Sequence, residues 1–422
     1  MSEFDAKLEV GSTTGLAAAF DARFEARRII EALRSGVPSF EVGRHFSSAR
    51  PKILGEIDDA LDGVASSKGS SGRVISAKYG EGKTHLLNMV LNRAHEQNMV
   101  VSTVTLSKET PLSNLPQLFA KIVQGTYLPG SRQPGVASAL EQLSLGSRST
   151  STLLEYCLTH LETNKLYYVL KAYLGTKDDE EKYLLAADIE GDFMTAAGVR
   201  KVYRHVFGET AVFNSNFVKT KHTGDYLSFL SQLFRTQGYE GWVILFDEAE
   251  LVGRLGRKSR QKAYLNMDRF LKGERLERSY ALFAFNASFV PDVIEGKLEH
   301  EGLDTNEALT PADKATITST LNSIAKATQL APLSREETAE VLAGILTCHG
   351  SAFGWEPRMS GEDFLAATDR YGYLLRTRIR AAIEMLDQLY QYGEVGEVRA
   401  SELGQISFEE DEQTALDTFL TP

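Results

Sequence analysis

Four short runs of apolar and β-branched residues recur along the chain, and each predicts a buried strand. The runs are RVISA (73–77), MVVSTVTL (99–106), WVILF (242–246) and YALFAF (280–285), with a weaker one at ATQLAPL (327–333). Unbroken apolar runs are typical of strands that a parallel sheet buries on both faces. The pattern therefore predicts a sheet whose strands come from widely separated parts of the chain.

Helical spacing of apolar residues surrounds the first two of these runs. ARRIIEALRSGVPS (26–39) predicts a helix that Gly36 and Pro38 end, and KILGEIDDALDGV (52–64) predicts a second helix. A third helix begins near Lys83. The order strand, glycine-rich turn, helix, strand is a βαβ unit, which again implies a parallel sheet.

The rest of the chain has mainly a helical pattern. Residues 110–240 are mostly helical, apart from a loose stretch at PGSRQPGVASALEQLSLGSRSTS (129–151). In LSREETAEVLAGIL, Ser334 and Glu337 have the spacing of a capping box, so a helix begins there. Helical patterns continue to about residue 400, and the acidic stretch FEEDEQTALD follows.

Composition restricts the class of protein. With 422 residues, 42% of them hydrophobic and 24% charged, we expect a soluble globular protein of two or three domains. The formal net charge of −11 argues against a general basic surface for nucleic acid, although not against a local basic patch. The two cysteines, a polar N-terminus and the lack of a long apolar stretch predict a cytoplasmic protein without a disulfide framework or membrane span.

The loop after the first predicted strand, AKYGEGKT (77–84), is almost a Walker A phosphate-binding motif. Gly80 and Gly82 let the backbone approach a phosphate, Lys83 supplies a positive charge, and Thr84 offers a hydroxyl to Mg²⁺. Ala77 stands where the motif has its first glycine. The alternative is a chance match on a surface turn, but a strand before the motif and a helix after it favour a nucleotide site.

A second motif lies far downstream, where the apolar run WVILF ends in Asp247 and Glu248. This is a Walker B pattern: Asp247 would hold Mg²⁺, through water or through Thr84, and Glu248 would orient and polarise the attacking water. The alternative is an exposed acidic helix start, which the helix dipole favours.

Four further residues belong to the predicted nucleotide site or adjoin it. Asn286 ends the strand YALFAF, where a polar tip can hold the water near the γ-phosphate, although an ordinary Asn turn is an equal alternative. Tyr79 and Glu81 complete the loop and are predicted to contact the nucleotide. His85 follows Thr84, and such a residue more often packs beside the loop than takes part in catalysis.

These pieces resemble the AAA+-like branch of the P-loop ATPases, and more closely the BREX phage-defence ATP-binding proteins of the BrxD type. The resemblance rests on ARRIIEALRSGVPS, AKYGEGKTHLLNMV, VVSTVTLS, GYEGWVILFDEAELV, APLSREETAEVL and LLRTRIRAAIEMLDQL, and it spans roughly residues 23–390. It implies an α/β fold, with an AAA+-like parallel sheet between helices, a helical insertion before Walker B and a C-terminal helical or winged-helix domain.

The resemblance also implies domain boundaries and residue roles. We expect a lead-in at 1–22, a nucleotide-binding domain at 23–333 with its insertion at about 110–240, a helical or winged-helix domain at 334–405, and an acidic tail at 406–422. By the family pattern, phosphate and Mg²⁺ are bound by Lys83 and Thr84, and Asn286 takes the sensor-1 position. Arg376 or Arg378 falls near the sensor-2 region, and the loose spacing after Gly372 leaves both open.

A basic cluster follows Walker B and consists of Arg254, Arg257, Lys258, Arg260 and Lys262. It would contact DNA phosphates or, as an arginine finger, the nucleotide of a neighbouring subunit; the alternative is a solvated helix face. Two arginines just before the last long strand run, Arg275 and Arg278, are further finger candidates.

Two functions remain open at this point. The first is an ATPase that binds ATP and Mg²⁺ and acts as a switch or motor subunit in phage defence, as a homo-oligomer and with DNA or a helicase-like partner. The second is an assembly scaffold that binds nucleotide with little turnover of its own. Glu248 favours the first, whereas the lack of an unambiguous arginine finger leaves the second open. A small-molecule kinase fits poorly, because no acceptor motif is evident.

Overall fold

The computed structural model describes residues 22–36, 39–46, 50–66, 69–131, 133–304, 306–371, 375–396 and 398. Nearly all of the predicted lead-in, the whole acidic tail and the predicted helix stop at Pro38 lie outside the described residues. Two compact units are present. The helical unit comprises the described residues within Met1–Ile53, Tyr79–Asn92 and Ala331–Pro422, and the sheet unit comprises those within Leu54–Lys78 and Arg93–Leu330.

Among the described residues, six strands form one sheet in the sheet unit. They are β1 (Ser71–Ala77), β2 (Val100–Thr105), β3 (Thr126–Tyr127), β4 (Trp242–Asp247), β5 (Ser279–Asn286) and β6 (Thr328–Gln329). Their order across the sheet is β3-β2-β4-β5-β1-β6, and all neighbours are parallel except β2 and β3. The predicted strands are confirmed; the short antiparallel β3 was not predicted, because two residues carry no periodicity.

The order of the strands brings together segments that are distant in sequence. β5 pairs with both β1 and β4, in a register that sets Ala77 opposite Asn286 and Phe246 opposite Phe283. β1 and β2 are parallel, as the βαβ pattern predicts, but β4 and β5 lie between them. The carboxyl ends of β1, β4 and β5 therefore share one edge of the sheet.

The helices follow the predicted pattern. They are α1 (22–35), α2 (Phe40–His45), α3 (Pro51–Ala65), α4 (Lys83–Glu96), α5 (Leu115–Gln124), α6 (Ala137–Glu141), α7 (Arg148–Thr159), α8 (Lys165–Gly175), α9 (Asp179–Ala187), α10 (Ala196–Phe207), α11 (Lys219–Thr236), α12 (Arg257–Lys272), α13 (Glu301–Asp304), α14 (Pro311–Ala325), α15 (Arg335–Phe353), α16 (Gly361–Asp369) and α17 (Leu375–Tyr392). Single helical turns lie at Asp188–Asp192, Ala249–Arg254 and Val290–Glu295. The stretch predicted to be loose, 129–151, contains α6 and the start of α7.

The core of the sheet unit is apolar and well packed. The helices α5, α12 and α14 contact the sheet. The rings of Phe246 and Phe283 stack between neighbouring strands, with their centroids 4.2 Å apart. Trp242 is buried, and its indole N–H donates to the Ser102 hydroxyl at 2.8 Å. Because buried polar groups are costly without partners, this bond allows a tryptophan in a central strand.

The segment between β3 and β4 is helical, as predicted, and has a buried charge network. The ammonium group of Lys165 lies 2.6 Å from an Asp188 carboxylate oxygen, and the Tyr226 hydroxyl donates to the other oxygen at 2.7 Å. All three side chains are at most 2% exposed. Removing one partner of such a pair leaves an uncompensated buried charge, so this network specifies how α8 and α11 meet.

The helical unit has its own apolar core, formed by α1, α2, α15, α16 and α17. The capping box of α15 is present: the Ser334 hydroxyl accepts from the Glu337 N–H, and the Glu337 carboxylate accepts from the Ser334 N–H. The described residues after Ala331 form helices and contain no strand, so the winged-helix expectation stays a prediction. None of the helices in the described residues is long and apolar enough to cross a membrane.

Candidate functional site

The glycine-rich loop lies in the helical unit and has the backbone conformation that a phosphate-binding turn needs. Gly80 has φ 77° and Gly82 has φ 91°, both in the left-handed region that favours glycine. A Cβ at Gly82 would meet only the Cβ of His85, at 3.9 Å. Conformation rather than crowding therefore requires glycine there.

The loop leads directly into α4, whose first residues are Lys83 and Thr84. The carbonyl of Gly82 accepts the Leu86 N–H at 3.0 Å, so helical hydrogen bonding begins at once. Lys83 is only 7% exposed. A helix N-terminus combines N–H groups without intrahelical partners and a positive dipole end, and both favour an anion.

His85 packs beside the loop. Burial, aided by the charge of Arg50 and opposed by a hydrogen bond with the Phe46 backbone, lowers the pKa of His85 to about 4. The imidazole is thus neutral near pH 7, and its ring lies 6.5 Å from that of Phe46. This contact fits the packing role that sequence reasoning favours.

The structure distinguishes the two sensor-2 candidates on α17. The Arg376 guanidinium donates to the hydroxyl of Tyr79, at 3.0 Å, in the loop itself. Arg378 instead donates to the Asp369 carboxylate, at 2.8 Å. Of these two hydrogen bonds, the one made by Arg376 reaches the glycine-rich loop.

In the sheet unit, Asp247 ends the central strand β4, and Glu248 follows it and precedes the helical turn Ala249–Arg254. Asp247 is 7% exposed, and its carboxylate accepts the Glu248 N–H at 2.9 Å. The Asp247 carbonyl accepts the Leu106 N–H at 3.0 Å, which holds the strand end against the end of β2. Glu248 has φ 56° and ψ 36°, a left-handed conformation that costs a non-glycine residue roughly 1–2 kcal/mol. Residues in this conformation concentrate at functional sites.

Asn286 ends β5, the strand between β1 and β4. Its N–H donates to the Glu250 carboxylate at 3.0 Å, and its side-chain oxygen accepts the Ser288 N–H at 3.1 Å. The Ala287 N–H donates to the carbonyl of Ala77 at 2.9 Å, which joins the ends of β5 and β1. Glu250 was not singled out from sequence, although it lies only two residues after the acidic pair.

The comparison with known families agrees with the resemblance that the sequence motifs indicate. The family model described as BREX system ATP-binding protein BrxC/D matches residues 22–143 and 147–402. The chain belongs to the BrxC/D family. The resemblance predicted from the motifs is thus confirmed at the level of the family, and with it an ATP-binding protein of the BREX phage-defence system. No curated protein matches the chain significantly.

One member of the predicted basic cluster is not available in this BrxC/D-family chain. Arg260 is 5% exposed, its Nε donates to the Glu299 carboxylate at 2.9 Å, and its Nη1 donates to the Leu255 carbonyl at 2.6 Å. The prediction that Arg260 contacts DNA or a neighbour's nucleotide is wrong, because this buried ion pair occupies its guanidinium. The other members of the cluster, Arg254, Arg257, Lys258 and Lys262, are exposed.

The two other finger candidates have partners within the sheet unit. Arg275 lies 3.1 Å from Asp225 and 3.2 Å from Glu162. Arg278 lies 3.4 Å from Glu240, and its carbonyl accepts the Trp242 N–H at 2.9 Å. Arg278 therefore stands at the amino-terminal edge of the sheet, opposite the edge at which Asp247 ends its strand.

Sequence reasoning missed one residue in contact with the loop, Arg50. Its guanidinium donates to the carbonyl of Glu81 at 2.7 Å. No local pattern identifies such a residue, because its partner lies 31 positions away.

Proposed function

We propose that this BrxC/D-family protein binds ATP with Mg²⁺, hydrolyses it, and acts as a nucleotide-dependent switch or motor subunit in BREX defence. One observation carries the proposal: a turn with two left-handed glycines, Gly80 and Gly82, leads directly into a helix that begins with Lys83 and Thr84. A family of ATP-binding proteins matches nearly the whole chain.

Within this proposal the loop residues bind the triphosphate. Lys83 supplies a positive charge to the β- and γ-phosphates, and the N-terminus of α4 supplies N–H donors. Arg376 is the proposed sensor-2 residue, because it already donates to Tyr79 of the loop at 3.0 Å. Arg378 is not proposed for this role, because its guanidinium donates to the Asp369 carboxylate instead.

The donor set fits Mg²⁺, which prefers hard oxygen ligands such as a hydroxyl and a carboxylate. Thr84 and Asp247 are the proposed ligands, and the bound ion would neutralise charge on the phosphates. Glu248 orients and polarises the attacking water, and Asn286 helps to hold that water. The hydrogen bond from the Asn286 N–H to Glu250 fixes the strand end that carries Asn286.

We propose that the exposed basic residues Arg254, Arg257, Lys258 and Lys262 contact the phosphate backbone of DNA. The overall charge of −11 opposes DNA binding elsewhere, so this patch would dominate the contact. Each phosphate neutralised adds about 0.7–0.9 to the slope of log affinity against log salt concentration. Charge reversal at Lys258 and Lys262 should reduce the magnitude of that slope. An unchanged slope would exclude the patch as the surface that contacts DNA.

Turnover is proposed to depend on a homo-oligomer or on a helicase-like partner. The observation behind this is that Arg260, Arg275 and Arg278 are each paired with a carboxylate of their own chain. In a homo-oligomer the completing arginine would then come from an exposed member of the cluster, Arg254 or Arg257, of a second subunit; otherwise the partner would supply it.

The deciding experiment measures ATP binding and ATP turnover by the purified chain, with and without DNA and over a range of protein concentrations, alongside its mass in solution. Binding with turnover that rises with concentration or DNA supports the proposal. Tight binding without turnover in every condition would favour the assembly scaffold. A chain that binds no ATP in the presence of Mg²⁺ would refute both.

A further inference from the structure

Arg50 has an unusual backbone conformation immediately before helix α3. Its φ is 61°, in the left-handed region, and the next residue is Pro51. A proline disfavours helical conformations in the residue before it, and a side chain disfavours the left-handed region. Contacts of Arg50 must therefore hold it there, and conformations of this kind concentrate at functional sites.

Three contacts hold Arg50, and all lie in the helical unit. Its Nη2 donates to the carbonyl of Glu81 in the phosphate-binding loop, at 2.7 Å. Its Nη1 donates to the carbonyl of Ala331. Its backbone N–H donates to a carboxylate oxygen of Glu337 at 3.1 Å. One residue thus joins the loop to both ends of the segment 331–337.

The contact with Glu337 places Arg50 at the start of a long helix. The other carboxylate oxygen of Glu337 accepts the N–H of Ser334 at 2.8 Å, which is half of the capping box of α15. The cap of α15 and the position of Arg50 are therefore set by the same carboxylate. Displacement of Arg50 would alter the cap, and displacement of the cap would move Arg50.

The chemistry of the arginine side chain suits this arrangement. A guanidinium is planar and holds its donors in a rigid fork, so that two carbonyls at Nη1 and Nη2 are fixed relative to each other. Lysine carries one nitrogen on a flexible chain and cannot fix both carbonyls in the same way. The role that follows is geometric: Arg50 restrains the Glu81 carbonyl, next to Gly80 and Gly82, whose left-handed turn shapes the loop.

We propose that Arg50 is a positioning residue that shapes the phosphate-binding loop and couples it to the N-terminus of α15. Occupation of the loop by MgATP is then transmitted from the Glu81 carbonyl through the Arg50 guanidinium to Ala331, and through the Arg50 backbone N–H to Glu337. This inference rests on the proposed nucleotide-binding function. It adds a residue outside the Walker motifs and a route by which bound nucleotide changes the C-terminal helices.

The test compares the full chain with Arg50→Ala and Arg50→Lys, using Mg²⁺ and a slowly hydrolysed ATP analogue. Arg50→Ala should weaken binding about tenfold or more, because the loop loses its preorganised shape. Arg50→Lys should bind the analogue with an affinity between that of the parent and that of Arg50→Ala. The matched control is Arg44→Ala, which removes an arginine of the same unit that pairs with Glu25 rather than with the loop.

A second measurement separates positioning from general stability. Hydrogen exchange of residues 331–340 should slow when the parent protein binds the analogue, because the cap of α15 is held through Arg50. At saturating analogue, Arg50→Ala should lose this protection, whereas Arg44→Ala should keep it. Arg50→Lys keeps the charge and is the second variant for the same comparison, in case Arg50→Ala does not fold.

The outcomes distinguish the two levels of the proposal. If the parent protein does not bind the analogue, the proposed function fails. If the parent binds it and Arg50→Ala and Arg50→Lys bind it within about twofold of the parent, with the same protection at 331–340, the role of Arg50 alone is refuted.

Discussion

Ala77 tests whether the incomplete Walker A motif is a working one, and the perturbation is Ala77→Gly. Ala77 is 1% exposed and is the last residue of β1, where its carbonyl accepts the Ala287 N–H at 2.9 Å. It is not among the residues with positive φ, so the conformation of this position does not require glycine. We therefore expect glycine to cost stability without improving nucleotide binding.

The size of the stability loss follows from the burial of one methyl group. Its removal costs about 0.8 kcal/mol, and the added backbone entropy of glycine costs about 0.5–1 kcal/mol, which makes roughly 1–2 kcal/mol in all. For a cooperative unit of 150–250 residues this lowers the melting temperature by roughly 2–8 °C. The matched control is Ala284→Gly, which removes an equally buried methyl in β5, opposite Ile75 and away from the strand end.

Two assays decide the prediction: thermal unfolding of the nucleotide-free protein and titration with ATP in the presence of Mg²⁺. Both glycine variants should melt lower, and both should bind ATP within about threefold of the parent. Tightening of about tenfold or more in Ala77→Gly alone, which corresponds to about 1.4 kcal/mol, would refute the reasoning. It would mean that the Ala77 methyl group obstructs the phosphate and that the loop is damaged.

The remaining predictions concern the loop, the acidic pair, the two arginines of α17 and one half-buried carboxylate, that of Asp387. Lys83→Ala should abolish ATP binding while the protein stays folded, because the lost charge serves the phosphate; ATP binding at parental affinity would contradict the site. Glu248→Gln should keep binding and lose turnover, because an amide cannot accept the proton of the attacking water, and undiminished hydrolysis would move that role elsewhere. Arg376→Ala should weaken ATP binding about fivefold or more and Arg378→Ala should not, since Arg376 donates to Tyr79 of the loop and Arg378 donates to Asp369; equal effects in a titration would remove the distinction. Burial acts to raise the pKa of Asp387, but hydrogen bonds and charges from its neighbours outweigh burial, and the pKa is lowered. The carboxylate therefore stabilises the fold above pH about 4, and this stabilisation is lost as the pH falls through the pKa of the folded state. Asp387→Asn should flatten this acid limb in denaturation measured from pH 3 to 6, and an unchanged limb would exclude the residue as its source.

The neighbours of Asp387 show how a pKa direction follows from contacts. His349 donates to its carboxylate at 3.0 Å, and Arg34 donates to both of its oxygens, at 2.9 and 3.0 Å. Trp355 donates to the other ring nitrogen of His349 at 2.9 Å, so the nitrogen that faces Asp387 is the one that donates to the carboxylate. None of these four residues lies close to another in sequence except His349 and Trp355.

Much of the fold was predictable because its signals are local. The apolar run WVILF predicts a buried strand whatever surrounds it, and the structure places it at the centre of the sheet as β4. The Ser334–Glu337 spacing predicts a cap that involves only one helical turn. The loop at 77–84 was predictable for the same reason, since its glycines and the helix after it are consecutive in the chain.

Other features could not be predicted, because they depend on which distant residues meet. Arg260 and Lys262 look equivalent in the sequence, but Glu299 buries one of them in an ion pair and leaves the other exposed. Arg376 and Arg378 are two residues apart, and only the contacts with Tyr79 and Asp369 distinguish them.

The amino-acid sequence by itself determined the strands, most of the helices, the glycine-rich turn, the acidic pair and the family, because each depends on side-chain type and spacing within a short window. The tertiary structure alone decided that β5 lies between β1 and β4 and that Arg50 joins Glu81 to Glu337. The physical reason is that strand pairing and buried hydrogen bonds satisfy groups 30 to more than 280 positions apart, as the separations of 31 and 287 residues in the Arg50 contacts illustrate. Such partners are chosen by the packing of the whole unit and leave no trace in local periodicity.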